Sequence, residues 1–305
     1  MADGRDDKGR TSTKYAAKKA ATERIAAQRA AQQRADRKRN LLYAGGGVVL
    51  VIVVIGGIVL AGLSSKKSTS TVHPVLPASS TVTNAITAAV PLTSTTPNLS
   101  TVTGPPKALT GAALTSTSGK PEVLYIGAEY CPYCGVTRWP LAVALSRFGT
   151  FSNLETTYSA ANDSAGPNTP TLDFRHANYK SDYVDFTGIE YEDGAQKVIG
   201  TLTTEQNSLF NSVGGGAFPF IDFGGKWAQS GASYATATLA GLTPEAVAGQ
   251  LTDASSKVGS SVQASADVFT AAICSMDGGK PASVCTSTGV VTATTALASL
   301  ATASK

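Results

Sequence analysis

The chain has 305 residues, with 25 Lys and Arg against 21 Asp and Glu and a formal net charge of +4. Its overall charge says little about any one part, because residues 1–40 hold twelve Lys and Arg against five Asp and Glu, a net of +7, which leaves −3 for the rest. Four cysteines and two histidines, His73 and His176, exclude an obvious zinc site: beyond one close cysteine pair, Cys274 and Cys285 stand eleven apart and nothing supplies matching ligands at short spacing.

Between Thr11 and Arg39 the basic residues are interleaved with Ala and Gln, which are good helix formers, so an amphipathic or solvated helix at a membrane's inner leaflet is expected. Topogenic charge accounts for this arm, and no nucleic-acid partner is expected. Residues 41–63, LLYAGGGVVLVIVVIGGIVLAGL, carry no charge and number twenty-three, against the roughly 20 needed to cross a hydrocarbon core. With Arg37-Lys38-Arg39 at its edge, the segment reads as an uncleaved signal anchor: cytoplasmic N-terminus, single pass through the cell membrane, and an extracytoplasmic remainder. A cleaved secretory signal is the competing reading, but its apolar region is usually only about 7–15 residues.

From Ser64 to Lys107, twenty-four of forty-four residues are Ser, Thr or Pro, the composition of a spacer, and residues 64–118 are read as a linker, packed in part on the domain. Within it Val82, Ile86, Ala89 and Val90 fall at helical spacing, which predicts a short helix packed on the domain. The folded domain is read as residues 119–305, ample for one core.

The run Val123-Leu124-Tyr125-Ile126, bounded by Gly127, predicts a buried strand at 122–127. After it comes Cys131-Pro132-Tyr133-Cys134, opening a helix over about 132–148 with Pro140 expected to kink it. Pro132 suits the first helical turn, where its missing N–H costs nothing, and Cys131 then sits at a helix N-terminus. Free N–H groups and the helix dipole stabilise a thiolate there and typically bring its pKa to ~3.5–7.5. Cys134, three residues on, lies on the same helical face. The expected chemistry is thiol–disulfide exchange with Cys131 as attacker and Cys134 as resolver; a structural disulfide is the bland alternative.

A second strand is predicted at Leu154–Ser159, then a turn-rich stretch, then extended segments at Thr171–Phe174 and Tyr183–Tyr191 read as an insertion or extra hairpin. Thr203 and Gln206 have capping-box spacing ahead of Leu209, Phe210 and Val213, and Gly214-Gly215-Gly216 ends that helix. Next, Ala217-Phe218-Pro219-Phe220-Ile221-Asp222-Phe223 reads as a Pro-led strand turning through Gly224-Gly225 into a partner at Lys226–Gln229. Thr243-Pro244-Glu245 starts a helix, and Val262, Ala266, Phe269 and Ile273 continue the helical signal. Cys274 and Cys285, flanking a Gly-Gly and Pro loop, are expected to form a structural disulfide in an oxidising compartment; an electron relay to Cys131–Cys134 is the sharper alternative.

Strand, C-x-x-C helix, strand, helix, Pro-led strand, hairpin strand and helix is the order of the thioredoxin-like superfamily, and the chain resembles it. C-P-Y-C is typical of glutaredoxins, and the extracytoplasmic placement resembles bacterial disulfide oxidoreductases of the Dsb class. The stretch KPEVLYIGAEYCPYCGVTRWPLAVALSRFGTF looks like a family of membrane-anchored thioredoxin-like proteins known mainly as a domain of unknown function, a likeness running on to the C-terminal cysteine pair. The resemblance implies an α/β thioredoxin-like fold with an insertion after the second strand and a helical C-terminal extension. By position, Pro219 would be the cis-proline that faces the redox pair and Phe218 would line the substrate groove, with Pro132 and Tyr133 tuning the centre. Many thioredoxins bury an Asp six residues before the first cysteine to move protons; that position is Tyr125 here, and Glu129 is the only acid close by in sequence.

The expected activity is therefore thiol–disulfide exchange with the cysteines of secreted or envelope proteins, without a cofactor, coupled to a membrane redox partner. The sequence leaves the direction of exchange open. A non-catalytic adaptor on the same fold, holding a peptide or a partner's strand, is the reading from another class. A peroxide-reducing enzyme fits less well, since the chain has no obvious peroxidatic Thr/Ser-Cys arrangement.

Overall fold

Short β-branched and aromatic runs punctuated by Gly and Pro divide the chain into many brief strands, and the Ala-rich amphipathic stretches between and after them supply the helices that cover the sheet. The computed structural model describes residues 72–91, 96–110 and 114–303. In chain order the elements are β1 (Leu76–Pro77), α1 (Ser80–Ala89), β2 (Lys107–Ala108), β3 (Glu122–Ala128), α2 (Pro132–Ser146), β4 (Gly149–Ser152), β5 (Glu155–Tyr158), β6 (Pro170–Asp173), β7 (Asn178–Ser181) and β8 (Asp185–Glu192). There follow α3 (Thr204–Ser212), β9 (Phe220–Phe223), β10 (Trp227–Ser230), α4 (Pro244–Ala248), α5 (Lys257–Met276), α6 (Ala282–Cys285) and α7 (Thr288–Ala303). Among the described residues no helix is long and apolar enough to cross a membrane. The expected span at 41–63 and the basic arm at 1–40 lie outside the described residues.

The central mixed sheet has the order β2-β10-β9-β3-β8. β8 lies parallel to β3, while β9 and then β10 and β2 are antiparallel additions on the other side. β3 is buried along its length except at Glu122, as its unbroken apolar run requires of a strand covered on both faces. The hairpin between β9 and β10 turns through Gly224 and Gly225, at φ 61° and 69°, a left-handed pair that suits glycine. One face of the sheet carries the main core, in which Val123, Tyr125, Ile221 and Phe223 meet α2 and α5. The other carries a smaller cluster of Leu124, Ile126, Phe220 and Ala228 under Phe210 of α3.

Two expectations are corrected. The strand at Glu155–Tyr158 does not join the central sheet; it pairs with β1 and β6 in a separate three-stranded antiparallel sheet. The parallel partner of β3 is β8, within the stretch read as part of an insertion, so the inserted strands β4 to β7 come between β3 and its parallel partner. Alternation of residue types marks a strand without naming its neighbour. The folded unit also begins well before Gly119: β1 pairs with β5, β2 is an edge of the central sheet, and α1 buries Val82, Ile86 and Ala89. The few apolar residues of this Ser/Thr-rich stretch do the packing.

Other expectations hold. α2 starts at Pro132 and continues through Pro140 to Ser146. Thr203 and Gln206 form a reciprocal capping box. The buried face of α5 includes Val262, Ala266, Phe269 and Ile273. Arg147, after α2, reaches into α5, donating to Asp267 Oδ1 at 2.7 Å, Thr270 Oγ1 at 2.7 Å and Gln263 Oε1 at 3.1 Å.

Asp222 on β9 is fully buried; Oδ1 accepts the Gly225 N–H at 2.6 Å and Oδ2 has no partner. Burial pushes its pKa up to about 6. The folded chain thus keeps a proton that an unfolded Asp releases near ~3.9, so this group's contribution makes stability fall as pH rises from about 4 to about 6. Urea unfolding across that window should show Asp222→Asn without this part of the decline. In the same assay Ile86→Ala should lower stability by about 2–5 kcal/mol, because α1 belongs to the core.

Candidate functional site

Cys131 is the N-cap of α2, with φ −80° and ψ 120°, and its Sγ accepts the Cys134 N–H at 3.4 Å. The cap geometry follows from the order of residues: Glu129 and Tyr130 leave β3, and Pro132 sets the first helical φ without sacrificing a hydrogen bond. Cys131 and Cys134 are free thiols. They form a small cluster with Ala128, flanked by Tyr130 and Phe218. Cys134 is completely buried and Cys131 is 7% exposed, so the pair is asymmetric in its access to solvent.

The segment leading into β9 comes up to this pair. The Phe218–Pro219 peptide is cis, and the Cys131 thiol points to the Phe218 carbonyl at 3.8 Å. Phe218 stacks on Phe210 with centroids 5.2 Å apart and lies 6.1 Å from Tyr191. Tyr133 projects from the motif and is exposed, whereas Pro132 is buried. Tyr130 donates its hydroxyl to Glu192 Oε2 at 2.9 Å.

Electrostatics separate the two thiols. The Cys134 thiol, hydrogen-bonded to the Cys131 sulfur, holds the Cys131 pKa below its ordinary value against the opposing effect of burial, aided by the backbone N–H groups of Cys134 and Tyr133 and by the Arg138 charge. Burial pushes Cys134 well up, as does its neighbour Cys131. Cys131 therefore carries the negative charge when the pair ionises, the division expected of an attacker and a resolver.

Glu129, the acid close by in sequence, is ion-paired with Arg175, and its Oε2 accepts the Gly194 N–H at 2.9 Å, so it ties the strand end to a neighbouring turn. Deeper beneath α2, Glu190 of β8 is buried and paired with Arg138 of α2. Arg138 donates from Nε to Glu190 Oε1 at 2.9 Å and from Nη2 to Oε2 at 2.5 Å, with both side chains fully buried. Its Nη1 reaches Thr171 Oγ1 at 3.1 Å and its Nη2 the Ala128 carbonyl at 2.9 Å. Sequence reasoning passed over this pair. The usable signal was a lone arginine inside the apolar helix stretch Gly135–Leu145, since a buried guanidinium requires a carboxylate.

Cys274 and Cys285 form a disulfide with Cα atoms 5.7 Å apart, joining the end of α5 to α6. Next to it, Ser275 accepts the Trp227 indole N–H at 2.9 Å, and Trp227 pairs with Phe223, which pairs with Val123 at the start of β3. Cys131 follows the opposite end of β3, and a strand of that length spans on the order of 20 Å. The two cysteine pairs are therefore at opposite ends of the sheet, which removes direct exchange between them.

A family described as a domain of unknown function (DUF929) matches residues 110–214, a span that holds the cysteine motif, Arg138 and Glu190. The matched span stops short of Pro219 and of the C-terminal cysteines, to which the resemblance was expected to run. No curated protein and no solved structure matches the chain.

Alkylation followed by mass spectrometry across pH should label Cys131 with a midpoint below that of an ordinary thiol, while Cys134 stays unlabelled in the folded chain.

Proposed function

We propose that this chain is a membrane-anchored, extracytoplasmic thiol–disulfide oxidoreductase with a thioredoxin-like fold. The observation that carries the reading is the Cys131 sulfur at the N-terminus of α2, with its charge favoured there and the Phe218 carbonyl opposite. The strand order β8-β3-β9-β10, with the cysteine helix directly after β3 and the Pro-led strand antiparallel to it, supports the fold assignment. The uncharged run at 41–63 behind a basic arm supports the anchor and the outward placement.

In the reducing direction the Cys131 thiolate attacks one sulfur of a client disulfide, forming a mixed disulfide and releasing the other client sulfur as a thiol. Cys134 then attacks Cys131 Sγ, the second client thiol leaves, and the Cys131–Cys134 pair holds the disulfide; two electrons have passed to the client. The oxidising direction is the reverse. No cofactor enters either half, and a membrane redox partner resets the pair.

The low exposure of Cys131 is the observation on the side of an adaptor with inert cysteines. Variants separate the two. Cys134→Ser should accumulate covalent complexes through Cys131 on non-reducing gels with a disulfide-bearing client, and Cys131→Ser should form none and lose exchange. Wild-type protein without exchange, together with a Cys134→Ser variant that traps nothing, favours the adaptor.

A further inference from the structure

We infer that Tyr125, Arg138 and the Ala128 N–H form a preformed anion cradle for the Cys134 sulfur, and that Tyr125 and Arg138 are positioning residues for the resolving half of exchange. The inference rests on the dithiol reading above. In that half-reaction Cys134 must give up its proton as its sulfur bonds to Cys131 Sγ. The Cys131–client bond breaks, and the departing client sulfur takes the electron pair and, in net through water, the proton that Cys134 gives up. The difficult species is thus a negative sulfur at a fully buried position, and an ion there requires fixed donors in place of water.

One donor already meets the sulfur, and a second donor and a positive charge stand around the same strand end. From β3, the Ala128 N–H points to Cys134 Sγ at 3.4 Å. Three residues back, the Tyr125 ring folds over Gly127, and its hydroxyl occupies the place that a Cβ at 127 would take. Glycine at 127 is what allows the phenol to lie along the strand beneath the helix. The Tyr125 hydroxyl is completely buried and makes no hydrogen bond. A buried unpaired O–H is costly, and a sulfur that becomes negative during turnover gives it a partner. From α2, the Arg138 guanidinium stands 5.6 Å from the Tyr125 ring centroid and donates to the carbonyl of the same Ala128 whose N–H meets the sulfur.

Opposing charges limit the cradle. Cys131 raises the Cys134 pKa, and Arg138 and the Ala128 N–H lower it. Glu190 on β8 neutralises Arg138, and Asp173 on β6, also buried, acts on both Glu190 and Arg138. Burial raises the Tyr125 pKa, Arg138 opposes that, and negative charge on Cys134 raises it further, the effect of a sulfur that ionises close to the phenol. At the position where the resemblance implied a proton-moving carboxylate, this chain has a neutral donor, and the buried carboxylate of Glu190 is held by Arg138.

The test is a single-turnover measurement on the full chain. Cys131 is loaded as a mixed disulfide with thionitrobenzoate, and release of the coloured thiolate by Cys134 is followed across pH. For Tyr125→Phe, which keeps the ring, we expect release to slow about tenfold at neutral pH and its pH midpoint to rise by about one unit. The alkylation midpoint of Cys131 should stay in place. Arg138→Lys, which keeps the charge and loses the fork, should move the release midpoint in the same direction by less. Wild-type release with Tyr125→Phe at the wild-type rate and midpoint overturns the cradle and leaves the exchange reading standing. A slower rate at an unmoved midpoint marks a purely structural effect and also overturns it. Loaded wild-type protein that releases nothing overturns both readings.

Discussion

The pair formed by Arg138 and Glu190 is the interaction on which the rest of the arrangement depends. One guanidinium on α2 binds the carboxylate of β8, a hydroxyl of β6 and the carbonyl at the end of β3. It thereby fixes the cysteine helix to its own strand, to the parallel neighbour of that strand and to the inserted sheet. Such a buried pair adds little over an apolar substitute, but removing one partner costs about 3–5 kcal/mol because the other is left charged and unpaired. The value of the pair lies in specifying where α2 sits, and with it the two sulfurs.

From that placement the difference between the cysteines follows. Cys131 is at the helix terminus, where N–H groups and the Cys134 thiol favour its charge; Cys134 is one turn in, sealed beneath the helix against Ala128. The strand bearing Phe218 closes the site from the other side with a backbone carbonyl, while the aromatic group of Phe218, Phe210 and Tyr191 continues into the second face of the sheet. The same sheet therefore supports the helix on one face and holds the rim of the site from the other. The C-terminal disulfide is remote from this end and acts on the α5–α6 junction.

Local features were legible in the sequence where a single residue type has a single physical use. Pro132 after Cys131 announced the helix start, Thr203 and Gln206 announced a cap, and the glycine pair at 224 and 225 announced the hairpin. The helical spacing of Val82, Ile86 and Ala89 was enough to find α1 inside a Ser/Thr-rich stretch. Features that depend on pairing were not legible. Leu154–Ser159 and Tyr183–Tyr191 look alike as alternating runs, and only the three-dimensional path decides that the second lies beside β3. Glu129 was singled out because it is close along the chain, yet the acid that matters to α2 comes from Glu190, far along the chain and adjacent only through the parallel pairing of β3 and β8.

The proposed function requires Cys131 and Cys134 to work as one redox couple. Equilibration of the purified chain in glutathione buffers of graded potential, with free Cys131 and Cys134 quantified by mass spectrometry after acid quenching, tests this. Both thiols should appear and disappear together and reversibly, as a two-electron couple, within the span of roughly −270 to −120 mV covered by known dithiol enzymes. A pair that stays in one state across that span, or two cysteines that change independently, would contradict it.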